Sequence, residues 1–483
     1  MQSDRTTLEG RLSLGVFHHG RIVHTQHFGK RDVDCPDPPD DDSVYWVAST
    51  LKNVTVSAIA RPVTDGVLGW DVPVREYLRG LRQRDDELGL NATMRDLIAN
   101  RSGLPMANSY WGQQNGEQLV PKSEFVSIVN QLKLAKPFRS TFIYSQWNFC
   151  LLQAIVESVT GKAFGDFVRE CIFQPLDLRS ATFDIPTGSN IMKPHANRDD
   201  GSTCKIKISA FDSASILASG GGGKSSLKDH LKIYIALLAA YDHQTTNDTD
   251  TSPGSPFTQL STIFTPQIQL PGSTIEKQAY CLGLYRTRLP GNLSCASLNS
   301  VLPRKRLPIF SEACLGAPIS HEEVYHHSCT TPGFVGAMFL IPRTQSGVVL
   351  MTNGTPRMDT ADLSAQVLLC EQLNMKAPGN VLDASRAVVR IQLRCKTDTT
   401  PTHPLKSYTG IVVAVHGILL RVSIQGMPNT TYDLQPCDSD TFYWPASREN
   451  ELVDRGMWVG PFLQFHLVKF ACNVKGCEPR VAT

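Results

Sequence analysis

Neither sign of charge is in excess in this chain. Lys and Arg number 47 against 45 Asp and Glu, a net charge of +2. Binding to nucleic acid through its phosphates asks for a clear basic excess or stripe, so nucleic acid is not an expected partner. Long apolar runs are missing too. No stretch approaches the ~18 consecutive apolar residues of a membrane span, and no basic amphipathic run marks a membrane-surface binder. The opening residues Met1-Gln2-Ser3-Asp4-Arg5 lack the apolar core of a secretory signal, which predicts a cytoplasmic protein with no membrane partner. The 13 cysteines include no Cys-x-x-Cys pair and no Cys/His cluster at zinc spacing. No metal and no organic cofactor is therefore expected, and the thiols read as free and mostly buried. No internal repeat is present either.

What is present is ordinary globular material. Apolar residues make up 41% of the chain and charged residues 19%, enough for a sizeable core. At ~150 residues per domain, the length suggests about three units, or one large domain plus a small one. Residues 11–29 alternate like a hairpin about the turn His19-Gly20, and 31–43 read as an Asp- and Pro-rich loop. Helices are predicted from Ser49 to about Ala60 before Pro62, over 93–100 with Thr93 or Asn91 near the cap, over 147–160 up to Gly161, over 226–241 and over 359–374. Residues 243–256 read as a mobile surface loop and 286–320 as an insertion, with Arg304-Lys305-Arg306 a solvated turn. The apolar runs from Phe334 to Ile341 and from Gly347 to Thr352 read as strands. After a linker near 376–381 the chain turns to short β-type segments over 408–470, a small all-β domain of meandering strands.

Three stretches could carry chemistry. In Ser49-Thr50-Leu51-Lys52 the serine and lysine are three apart at a helix start, so they share a face. A lysine kept neutral by burial and by nearby positive charge can take the serine's proton, and the helix N-terminus favours negative charge there. The bare pattern is common by chance, but its apolar flanks would hold Lys52 in a dry place. Tyr144-Ser145-Gln146 lies just ahead of the 147–160 helix. A lysine ammonium beside Tyr144 would lower the phenol's pKa and let it shuttle protons. His326-His327-Ser328-Cys329-Thr330 opens a strand whose edge can offer a backbone N–H to an oxyanion, opposite the N–H of Ser49. The plain reading of these residues is a helix cap, a packing tyrosine and polar surface.

Order and spacing tie the stretches together. They resemble the serine β-lactamase and penicillin-binding-protein superfamily, in its class C-like branch, which also holds esterases, D-aminopeptidases and fungal polyketide acyltransferases. The resemblance covers about residues 10–375. It rests on Val47 to Lys52, Gly66 to Val74, Thr93 to Pro105, Tyr144-Ser145-Gln146, Ser219-Gly220-Gly221-Gly222 and His327 to Phe334. It implies an α/β fold, an antiparallel sheet flanked by helices with a helical subdomain over about 75–280. The large domain would be 1–378, and 379–483 a small C-terminal β-barrel-like domain.

The resemblance also implies roles. Ser49 would be the acylated nucleophile, Lys52 its base and Tyr144 the proton relay. The N–H groups of Ser49 and Thr330 would form the oxyanion hole. His327 would polarise the cleft and help hold Tyr144. Gln146 stands where the family has Asn, displacing a hydrogen bond to a substrate amide. Cys329 stands where it has Gly, narrowing the cleft beside the nucleophile, with Ser328 next to it. His326-His327 stands where β-lactamases have Lys. These departures fit an esterase or acyltransferase better than a β-lactamase. The implied partner is a small-molecule acyl substrate, free or bound to a carrier protein; a secondary-metabolite ester is plausible by analogy with fungal relatives. Two other classes remain. One is a catalytically silent ligand-binding relative. The other is a phosphate-binding loop at Ala218-Ser219-Gly220-Gly221-Gly222-Gly223-Lys224-Ser225, whose glycines and Lys-Ser precede a helix.

Overall fold

The computed structural model describes residues 11–106, 118, 121–198, 202–301, 322–355 and 359–375, and six strands between 413 and 481. The chain begins with strands β1 (Leu12–His18) and β2 (Arg21–Phe28). His19 and Gly20 both take positive φ in the tight turn between them, as the hairpin pattern predicts. Helix α1 (Lys52–Thr64) follows a single 3-10 turn at Ala48–Leu51. Ser49 therefore belongs to the turn rather than to α1. Pro62 does not end the helix. It sits in the last turn, where few hydrogen bonds remain to be lost.

Helix α2 (Met94–Ile98) starts at a capping box, with Thr93 as its cap and Asp96 reaching back. Helix α3 (Gln146–Thr160) ends at Gly161 in the left-handed conformation. Helix α4 (Leu227–Asn247) runs six residues beyond the predicted 241. Its last turns are held from inside. Thr245 and Asn247 bond back to the carbonyls of Tyr241 and His243, and the buried Gln244 bonds the carbonyl of Phe257 and the N–H of Leu260. The Thr-, Asp- and Pro-rich segment after it is thus tied down rather than loose.

Strands β3 (Ile268–Gln269), β4 (Gln278–Tyr280), β5 (Tyr285–Arg288), β6 (Glu323–Thr331), β7 (Phe334–Ile341) and β8 (Ser346–Thr352) complete the main sheet. Its order is β2-β1-β8-β7-β6-β5-β4-β3, antiparallel throughout. The insertion expected over 286–320 begins as sheet: β5 runs into it from Tyr285, followed by short turns at Ser294–Ala296 and Leu298–Val301. Arg304-Lys305-Arg306 and the linker near 376–381 lie outside the described residues.

The run Phe334–Ile341 is apolar throughout because the sheet is covered on both faces. Val335, Ala337, Phe339 and Ile341 meet Ala361, Ala365 and Leu369 of helix α5 (Thr360–Gln372). Phe334, Met338 and Leu340 join the larger cluster containing Val54 and Ile59 of α1 and Leu231 and Leu238 of α4. No described helix is long and apolar enough to cross a membrane. Near the C-terminus, six strands from Val413–His416 to Gly476–Val481 form a meander in sequence order, as the β-type segments predict.

Asp96 is a hub of the helical part. It is fully buried and accepts from Arg101 Nε at 2.6 Å, Arg139 Nη2 at 2.7 Å and Thr93 Oγ1 at 2.8 Å. Burial opposes its charge, but the bonds from Arg139, Arg101 and Thr93 outweigh that and hold its pKa below the ordinary value. A depressed carboxyl pKa adds stability above the unfolded value, lost as pH falls through the folded one. Asp96→Ala is expected to cost about 3–5 kcal/mol in urea unfolding near neutral pH. That deficit should shrink below about pH 4; an equal deficit at pH 3 and pH 7 would contradict the assignment.

Candidate active site

The 3-10 turn places the chemistry. Strand residues Val44–Trp46 pair with Lys224–Ser226, and the N–H groups of Val47 and Ala48 both donate to Gly223 O at 3.0 Å. A Cβ at Gly223 would lie 2.7 Å from Leu51 Cδ1, so this close approach needs glycine. Ala48 is held at φ 38°, a strained conformation for alanine directly before Ser49. The first N–H the turn uses is that of Thr50, donated to Val47 O. The Ser49 N–H comes before it and lies among the orphan donors of a helix start.

Three elements converge on Ser49 Oγ. Tyr144 Oη donates to it at 3.0 Å, and Lys52 Nζ lies 3.2 Å away. Lys52 Nζ also meets Gln146 Oε1 at 3.1 Å and the carbonyl oxygen of Gly220. Two of its three partners can only accept. The Ser49 hydroxyl itself donates to Gly220 O at 3.3 Å. A neutral amine has two N–H bonds, enough for Gln146 and Gly220, and a lone pair able to take the hydroxyl proton when that bond to Gly220 is given up. Burial pushes the Lys52 pKa down to about 7. Burial alone does this; no neighbouring cation contributes, contrary to the expectation from sequence. Phe149 supplies much of the dry wall, its ring centre 4.5 Å from Nζ.

Tyr144 differs from expectation as well. Burial pushes its phenol pKa up, and the bonds from Ser49 and Gln146 only partly offset it. No ammonium lowers it, because Lys52 is itself desolvated. Tyr144 is a proton donor to Ser49 in its resting form, not a phenolate. Its loop is pinned by the stretch around 93–105. Asn100 Oδ1 accepts from the Ser145 N–H and from Asn148 Nδ2, both at 3.0 Å, and Ser145 Oγ donates to Pro105 O.

Gln146 is bonded to Lys52 rather than turned to a substrate amide. Gly220 makes room for it: a Cβ there would lie 2.5 Å from Gln146 Oε1. The glycine run is thus packed under the nucleophile. Lys224 does not face an anion site. It is fully buried and donates to the carbonyls of Phe183 and Phe211, with its pKa pushed to about 7 by burial. The phosphate-loop reading is thereby excluded.

Strand β6 separates its residues by parity. Leu289 N donates to Glu322 O, so even-numbered residues turn their backbone groups to the β5 side. Beyond His326 that side has no β5 partner, and the N–H of Thr330 faces this open edge. Odd-numbered side chains face the Ser49 turn. Cys329 Sγ donates to Trp46 O at 3.4 Å, behind the nucleophile rather than in the cleft. Ser328 lies on the opposite face, bonded to the carbonyl of Ala296, and so does not line the cleft. Both histidines are buried, not polar surface. His326 Nε2 meets Thr287 Oγ1 at 3.0 Å on the far face. His327 lies on the Ser49 side, its ring 5.8 Å from that of Tyr144, with no hydrogen bond between them. Its contact with Tyr144 is through the rings. Burial pushes its pKa down to about 3, so it is neutral.

The sequence reading missed an aromatic wall. Phe142, Tyr280 and Tyr285 pack around Tyr144 and His327, with Tyr285 5.1 Å from the His327 ring. The only available signal was the spacing Tyr280-Cys281-Leu282-Gly283-Leu284-Tyr285, a tight hairpin between β4 and β5.

A model of the Beta-lactamase family matches residues 10–371. Among curated proteins, the chain is 25% identical over 207 residues to unguisins hydrolase ungD' of Aspergillus campestris, covering 41% of this chain and 38% of that one. It is 28% identical over 186 residues to esterase EstB of Burkholderia gladioli, covering 36% and 47%. The chain thus spans less than half the length of these relatives. Among solved structures, the octameric penicillin-binding protein homologue from Pyrococcus abyssi superposes with a TM-score of 0.60 at 18% identity, over 96% of this chain and 92% of that one, a likeness of fold.

The 3.2 Å contact from Lys52 Nζ to Ser49 Oγ makes the free amine the candidate base for this hydroxyl. Phosphonylation of Ser49 by a fluorophosphonate should therefore speed up about tenfold per pH unit below about 7 and level off above, in rates measured from pH 5 to 9. A flat profile would remove Lys52 as the base. Lys52→Met should slow the labelling by roughly 10²–10⁴-fold at pH 8.

Proposed function

Because the chain belongs to the Beta-lactamase family, we propose that it is a serine hydrolase opening an ester, lactone or thioester of a small molecule through an acyl-enzyme on Ser49. The observation that carries this reading is the convergence of Lys52 Nζ and Tyr144 Oη on Ser49 Oγ, at 3.2 and 3.0 Å. The Ser49 oxygen attacks the carbonyl carbon as its proton passes to the Lys52 amine. The N–H groups of Ser49 and Thr330 receive the oxyanion. Tyr144 gives its phenolic proton to the leaving oxygen or sulfur and regains one from the Lys52 ammonium through the site. Water then attacks the acyl-enzyme as one of its protons passes to the Lys52 amine, Tyr144 protonates the departing Ser49 oxygen, and the Lys52 ammonium restores the Tyr144 proton. Transfer of the acyl group to an alcohol or amine uses the same residues, and only the second nucleophile differs. The acyl substrate is a small molecule, free or carried on a protein. The relatives' names, an esterase and a hydrolase, agree with hydrolysis.

Intact mass after incubation with p-nitrophenyl butyrate and with a fluorophosphonate tests the mechanism. The wild type should gain the mass of the acyl or phosphonyl group, and Ser49→Ala should gain nothing. No adduct and no p-nitrophenol release from folded wild type would leave the silent ligand-binding reading in its place. An alcohol added in the same assay that yields its butyrate ester identifies acyl transfer.

A further inference from the structure

His327 has a state that the acyl-enzyme reading does not use. Its Nδ1 lies 2.8 Å from the carbonyl oxygen of Ser328. A carbonyl only accepts, so Nδ1 carries the ring proton. The ring is neutral, since burial disfavours its charge. Nε2 is then a bare lone pair. It is buried, the residue being 4% exposed, and meets no donor among the described residues. Two of the nearby donors are committed elsewhere, and the Tyr280 hydroxyl, itself without a partner among the described residues, makes no bond to Nε2. Tyr144 Oη is spent on Ser49, and Lys52 Nζ has Ser49, Gln146 and Gly220 as partners. A buried acceptor with no donor carries a penalty, which a ligand donor would relieve.

The surroundings limit what that donor can belong to. The ring sits among Tyr144, Tyr280 and Tyr285, at 5.8, 6.4 and 5.1 Å between centres. Among the described residues Lys52 is the basic side chain bonded to the Ser49 hydroxyl. A carboxylate here would face a lone pair and aromatic rings, with no N–H of Lys52 left for it.

Resting on the serine-hydrolase reading, we infer that His327 Nε2 accepts a hydrogen bond from the substrate, and that the preferred substrates are uncharged esters bearing a hydroxyl or N–H donor close to the scissile carbonyl. His327 is on this account a specificity residue that touches substrate, and not a cation for a substrate carboxylate.

The test compares each hydroxyl ester with its methyl isostere: p-nitrophenyl 3-hydroxybutyrate against 3-methylbutyrate for a donor on the acyl side, and 2-hydroxyethyl butyrate against propyl butyrate for one on the alcohol side. p-Nitrophenyl hemisuccinate supplies the carboxylate. In wild type at pH 8, at least one hydroxyl ester should exceed its isostere about tenfold in kcat/KM, the worth of one neutral hydrogen bond. The hemisuccinate should be slower than either acyl-side ester. In His327→Phe, which keeps an aromatic ring and deletes the acceptor, the hydroxyl-to-methyl ratio should fall to about one, whatever the absolute rates.

Ratios near one in wild type overturn the inference, as does a hemisuccinate faster than the neutral esters, or a high ratio unchanged in His327→Phe. Fluorophosphonate labelling of Ser49 in the same preparation separates these failures from failure of the hydrolase reading, in which no label appears. Should His327→Phe not fold, the 15N shift of Nε2 in wild type carrying a hydroxylated or a methyl phosphonate on Ser49 decides instead. A shift moved by the hydroxyl supports the contact, and identical shifts refute it.

Discussion

One lysine nitrogen held out of water organises this molecule. Lys52 Nζ is bound by oxygens from three distant parts of the chain: its own turn, the start of α3 and the glycine run before α4. An ammonium so buried is costly, and the cost appears as a pKa pulled down to about 7 rather than as a compensating carboxylate. The surroundings follow from that. Gly220 must be bare to let Gln146 reach in, and Gly223 must be bare to let the Ser49 turn close. Phe149 and the rest of α3 keep water out. The strained Ala48 is tolerated because two backbone bonds from neighbouring residues fix the turn to Gly223.

The division between Lys52 and Tyr144 has the same origin. The dryness that lowers a lysine raises a phenol. Above about pH 7 the pair therefore rests as free amine and neutral phenol, one able to take a proton and the other able to give one. They meet at the Ser49 oxygen, and in the mechanism we propose it uses the first on attack and the second on departure of the leaving group. A site built on an ammonium and a phenolate would hold the opposite charges in an environment that penalises both.

Much of this was legible in the residues. Ser49 and Lys52 are three apart, so one turn of backbone decides that they meet. Thr93, Gly161 and the alternation around His19-Gly20 are local signals with local outcomes. What was not legible depends on distant partners. Gln146 reads as a substrate ligand until Lys52, 94 residues away, is placed against it. The sense of the Lys224 side chain depends on the carbonyls of Phe183 and Phe211. Pro62 looked like a helix end because its missing N–H was weighed without its position in the final turn. Ser328 and Cys329 were assigned to the cleft because the run His326 to Thr331 lacks an apolar alternation to fix its faces. Register against β5 and β7 fixes them instead.

That register has a consequence for how such a protein changes over time. Successive residues of β6 answer to different neighbours: 327 and 329 to the nucleophile's side, 326 and 328 to the layer under α5 and the turn near Ala296. Exchange of an odd residue alters what faces the Ser49 turn, at 327 beside Tyr144 and at 329 behind the turn, while exchange of an even one alters packing on the opposite face. A lineage with this strand can thus explore new chemistry and new positioning in alternate letters of one short word. An insertion or deletion of a single residue between Tyr325 and Thr330 would swap the two alphabets at once.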